Sequence, residues 1–168
     1  ERQRYRTVYV TLSPAWIGGK TTGERLRGLW ASHPIFGSPA LYLGLVRYPG
    51  GEEDELVRAA AIRLLGNELG NARSMSVPYN QEVLKRMAPM LPADVPNVLV
   101  RRELACLLQH LVADHRNDLA RALLAHGEDK DDPYIPLLIW YGIEPVVGAD
   151  AKLGLELAKV SKMPKVTD

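Results

Sequence analysis

Side chains able to do chemistry gather most densely at His126, Glu128, Asp129, Asp131 and Asp132. Carboxylates at this density suit a hard cation such as calcium, and a histidine widens the choice to transition metals. Their spacing, however, matches no calcium-loop pattern. Asp131 and Asp132 also stand just before Pro133, where a carboxylate caps a starting helix. A capped, solvent-side turn is therefore expected, with no metal and no cofactor. Gly18-Gly19-Lys20-Thr21 has the ending of a phosphate-binding loop, but the glycine required five places before Gly19 is Pro14. A plain connection is expected there. Trp30, Trp140 and Tyr141 are aromatics of the kind that anchor interfaces. Trp30 is expected in the core, whereas Trp140 and Tyr141 fit either a core or a ligand groove. His33, His110 and His115 have no Ser, Cys or carboxylate arrangement of triad type. His110 and Asp114 stand four apart and would pair on a helix surface, nothing more. Cys106, the single cysteine, lies between Ala105 and Leu107 and reads as an inert core thiol.

Arg27, Arg58 and Arg101 stand at separations of 31 and 43 residues, at similar places in successive helical stretches. One reading is an internal ladder joining adjacent repeats through carboxylates or helix carbonyls. The other is ordinary arginines snorkelling beside an apolar face. An unpaired buried guanidinium would cost several kcal/mol, so any arginine of this set that is inside must have a partner.

The elements that would position these groups are helical. Leu56-Val57-Arg58-Ala59-Ala60-Ala61-Ile62-Arg63-Leu64-Leu65 reappears as Leu99-Val100-Arg101-Arg102-Glu103-Leu104-Ala105-Cys106-Leu107-Leu108, 43 residues on. That offset falls within the roughly 40–47-residue period of HEAT and armadillo helix pairs. Before it, Glu1–Lys20 reads as an extended arm or the tail of a preceding domain, with strand formers at Tyr5 and Val8–Val10. Thr21 and Glu24 form a capping box for a helix with Leu26, Leu29 and Trp30 inward. Ser38-Pro39 opens a short helix, and Asn80 another. Gly66–Pro78 reads as a polar loop. The second repeat helix is expected to bury Leu99 through Val112, and Asn117 to cap the helix after it. Asp132-Pro133 starts a helix that Pro145 should end or kink. A last helix spans Ala151–Val160. The fold expected is all-α: a HEAT/armadillo-like superhelix of about four helix pairs over residues 21–164, with 165–168 as a tail.

Composition narrows the function classes. The chain has 21 basic and 20 acidic residues and a net charge of +1. Such balance disfavours a dedicated nucleic-acid surface, where a basic stripe is expected. No apolar run approaches the roughly 18–20 residues that span a bilayer. The opening at Glu1 reads as a piece of a longer polypeptide.

The stretch from His126 to Val146, with Asp131-Asp132-Pro133-Tyr134-Ile135-Pro136 and Trp140-Tyr141-Gly142-Ile143-Glu144-Pro145, resembles the HEAT-like segment of large planctomycete- and verrucomicrobia-type proteins described as membrane-bound dehydrogenases or haem-binding proteins. Arg25–Ala31, Val57–Leu65 and Ser161-Lys162-Met163-Pro164 are similar to the same segment. The resemblance implies a β-propeller before the repeats, a c-type cytochrome domain after them, and a periplasmic or cell-envelope setting. It supplies no catalytic residues for the helical segment. The chain itself has no Cys-x-x-Cys-His for covalent haem. The function expected is a non-enzymatic scaffold for partner proteins or neighbouring domains. The alternatives are an accessory wall of an adjacent redox site or, less favoured, a nucleic-acid-binding repeat.

Overall fold

Five helices open with the same device, a side-chain oxygen that accepts first-turn amide protons. The computed structural model describes residues 19–36, 42, 54–70, 95, 97–111 and 113–167. Helix α1 (Thr22–Phe36) begins with the expected capping box: Thr21 Oγ1 accepts from the Glu24 amide at 3.2 Å, and Glu24 Oε2 accepts from the Thr21 amide at 3.2 Å. Helix α2 (Glu55–Gly70) is capped by Asp54, whose Oδ1 accepts from Leu56 N at 3.0 Å. Helix α3 (Val98–Leu107) is capped by Asn97, whose Oδ1 accepts from Leu99 N at 2.8 Å. Asp54 and Asn97 are themselves 43 residues apart, so the internal repetition includes the cap.

Burial repeats in the same register. Val57 and Val100, Arg58 and Arg101, Ala61 and Leu104, Ile62 and Ala105, Leu64 and Leu107, and Leu65 and Leu108 are all buried pairs of equivalents. The two helices pack directly on each other. Arg63 meets Glu103, while Gly66 and Gly70 both face His110 further along. Partners thus advance together along both helices, so α2 and α3 run parallel.

After α3 the chain tightens. A 3₁₀ turn at Leu108–His110 is followed by extended Leu111, so the helix stops short of the expected Val112. The cause is close packing from Helix α5 (Ile135–Ala149): a Cβ on Gly142 would meet Leu108 Cβ at 2.5 Å. Helix α4 (Ala113–Leu124) starts earlier than expected, which leaves Asn117 inside it rather than at its cap. His110 and Asp114 therefore sit on different elements, not on one helix face. Helix α5 begins where Asp132 Oδ1 accepts from Tyr134 N and Ile135 N, both at 2.8 Å. It does not end at Pro145. Pro145 and Tyr141, four residues before it and the residue whose carbonyl loses its amide partner, both stand on the exposed side of the helix. Helix α6 (Ala151–Val160) follows, capped by Asp150. The expected tail instead contains a short helix, α7 (Pro164–Thr167), with Val166 buried against the rest.

The described residues are mostly helical, with seven α-helices and no strand among them. One apolar core runs from Leu29 through Ile62, Leu104, Leu124 and Ile139 to Val166. Helix α2 continues to Gly70, through the first part of the stretch expected to be loop. Its apolar stripe continues with Leu69, which packs on the core while Asn67 faces water. The expected arm at Glu1–Lys20, apart from Gly19 and Lys20, and the expected helices at Ser38 and Asn80, apart from buried Tyr42, lie outside the described residues. No described helix is long and apolar enough to cross a membrane.

Candidate functional site

The acidic turn and the arginine set, separate in the sequence, meet in the structure. Helix α3 carries Arg101 one turn after its cap, and the 3₁₀ turn Gly127–Asp129 brings Asp129 against it. Arg101 Nε donates to Asp129 Oδ2 at 2.5 Å and Nη2 donates to Oδ1 at 2.7 Å. Nη1 donates to the Val95 carbonyl at 2.7 Å. Arg101 is 4% exposed and Asp129 3%, so this is a buried bidentate pair. Glu128 points outward from the same turn. It lies 2.8 Å from His126 Nδ1 and 3.7 Å from Arg101. Its own backbone amide, then the His126 ring, hold its carboxyl below the usual range. Asp131 is exposed, and Asp132 alone of the two caps α5. A guanidinium therefore fills the position a cation would take beside Asp129. Among the described residues no three His, Cys, Asp or Glu side chains come together as a metal-holding group.

The other arginines divide. Arg58 is buried and meets Glu55 at 3.2 Å. Arg27 is exposed and does not share that position. Arg25 does: it stands four residues after its cap, as Arg58 follows Asp54 and Arg101 follows Asn97. Arg25 Nη2 reaches Asp54 at 3.1 Å, and Thr22 Oγ1 also donates to that carboxylate. Burial works to raise the Asp54 pKa. The Thr22 hydroxyl, the Leu56 and Val57 amides and Arg25 outweigh it and hold the carboxyl low. Counting from the cap, rather than between apolar segments, would have found Arg25 in the sequence.

Gly19–Thr21 forms the entry to α1, and its amides are occupied: Lys20 N and Thr21 N both donate to Glu24 Oε2. Gly18 lies outside the described residues. Trp30 is 55% exposed, not in the core as expected, because Leu29 takes the inward position. On α5, Leu137, Trp140 and Tyr141 are exposed, with Tyr134 just before the helix. Trp140 stands between two shallow cavities of about 300 and 140 Å³, one walled by Pro133, Pro136 and Val166, the other by Ile143, Val147 and Leu157.

Three further polar groupings were not singled out from the sequence. Buried Tyr42 places its hydroxyl 2.5 Å from His33 Nδ1, whose Nε2 lies 3.7 Å from Glu68. Burial, reinforced by Glu68, raises the Tyr42 pKa, so the phenol stays protonated. Arg63 holds both oxygens of buried Glu103. Arg116 donates to the carbonyls of Leu111, Gly142 and Gln109 at 2.7, 3.0 and 3.1 Å. The Leu111 and Gln109 carbonyls are acceptors released where α3 gives way to extended chain, and the Gly142 carbonyl ties that point to α5. Each grouping joins residues far apart or on different elements, so no local spacing advertises it. His115's side chain lies outside the described residues.

The fold and these groupings define an all-α protein with a buried polar clamp and an exposed aromatic strip. No family model, no curated protein and no solved structure matches the chain.

Proposed function

We propose that this chain is a HEAT/armadillo-like helical-repeat scaffold, without catalytic residues of its own, that holds partner proteins or neighbouring domains. The observation that carries this reading is the parallel packing of α2 on α3 with cap, buried apolar positions and buried arginine repeated 43 residues on. Such a unit cannot bury its apolar face alone, and stacked neighbours supply the missing core. Extended stacked surfaces bind by shape and scattered contacts. The exposed strip of Tyr134, Leu137, Trp140 and Tyr141 supports α5 as the docking face, since aromatics of this kind anchor interfaces.

The resemblance of His126–Val146 to the helical segment of dehydrogenase- and haem-type proteins names the partners to try first. They are the β-propeller and c-type cytochrome domains of that type of polypeptide. The test is sedimentation of the chain with each purified domain. Saturable association with either supports the scaffold. No association with either at concentrations up to about 100 μM, where weak interfaces still register, overturns it.

A further inference from the structure

A cavity of about 380 Å³ opens in the groove between α2 and α3, with Tyr134 and Leu138 also among its lining residues. That size, with an apolar floor and a few convergent polar groups, is what a small-molecule site requires. Ile62, Leu107 and Leu138 supply the floor, and Gly66 leaves it open where a side chain would intrude. The charges around it do not cancel. Arg63 gives Nε and Nη2 to the two oxygens of Glu103, at 3.1 and 2.5 Å, so that pair is closed on itself. Arg102, half-buried on the same wall, pairs with no carboxylate among the described residues. Burial, then the Arg116 charge, lowers the His110 pKa, so the imidazole adds no charge near neutrality. A single guanidinium therefore sets the sign of the site, and its fork matches a carboxylate.

We propose that this groove binds a small organic monoanion, a carboxylate carried on a flat apolar body, with Arg102 as the anion-binding residue. The apolar body lies on the floor between the helices, and the carboxylate takes both guanidinium N–H groups. This site is separate from the α5 strip, and its failure would leave the scaffold reading untouched.

The test uses 2-naphthoate and its neutral analogue 2-naphthalenemethanol, followed by calorimetry on the chain and on Arg102→Gln. Saturable naphthoate binding is expected, weakened about tenfold or more by the substitution, with the alcohol binding no better than naphthoate binds the variant. A second readout is maleimide labelling of Cys106, which lines the same groove. Burial and Glu103 push its thiol pKa up, so labelling is run near pH 8.5, about the ordinary thiol value. Naphthoate should slow labelling in the parent chain and not in Arg102→Gln. Equal binding of acid and alcohol, an unaffected variant, absent protection of Cys106, or no saturable binding would each overturn the proposal.

Discussion

Arg101 and Arg102 are neighbours on α3 and do opposite things. Arg101 points inward, where Asp129 and the Val95 carbonyl accept from its guanidinium. Arg102 points into the groove toward α2 and meets no carboxylate among the described residues. One residue of sequence separates a side chain that holds the fold from one available to a ligand. Surroundings decide this, not residue type. Out of water, a charge pair is coupled tightly enough that losing one member strands the other. In a half-open groove, a lone guanidinium stays hydrated and costs little.

The largest effect should come from breaking the buried member. Arg101→Met leaves Asp129 charged and enclosed, and urea unfolding should show a loss of roughly 3–5 kcal/mol. Asp129→Leu added to it should restore most of that loss, because two apolar side chains strand no charge. A double variant as unstable as the single one would break the contrast between the two arginines. Next comes Gly142→Ala, whose Cβ would press on Leu108. Melting should report about 1–3 kcal/mol of destabilisation, the range for overpacking.

A smaller effect concerns pH. His110 rests against Gly66 and Gly70 with one edge in solvent, and its pKa lies below the ordinary 6.5. On acidification the unfolded chain takes up this proton before the folded chain does. Stability should therefore be complete above about pH 7 and fall as pH drops through and below 6.5. His110→Gln should flatten that slope in pH-dependent urea titrations. An unchanged slope would assign it elsewhere. The smallest effect is Arg102→Gln, which should change stability by less than about 0.5 kcal/mol, as surface changes usually do.

Much of this architecture was legible in the sequence because local chemistry fixes helix starts. Thr21 with Glu24 and Asp132 before Pro133 each announced a start. Helix ends were less legible. Val112 lies beyond the end of α3, and the helix yields at Leu108, because α5 presses its Gly142 backbone there, a contact across more than 30 residues. Pro145 did not stop α5: it and Tyr141, whose carbonyl loses the proline's missing amide, both lie on the exposed side of the helix. Arg101 and Asp129 were each singled out, yet their pairing depends on how the turn after α4 folds back onto α3. Trp30 reads as apolar in any periodicity count. Its exposure follows from Leu29 taking the core position beside it.

The exposed α5 strip of Leu137, Trp140 and Tyr141 is the proposed docking face, and it can be tested against a stray patch of apolar surface. The direct measurement is calorimetric titration of a β-propeller or c-type cytochrome domain of the proposed partner type into the chain and into Trp140→Ser/Tyr141→Ser. Measurable affinity is expected for the parent chain, with at least a tenfold loss in the double variant and the fold intact by circular dichroism. Undiminished affinity in the double variant, or none in the parent chain, would contradict it.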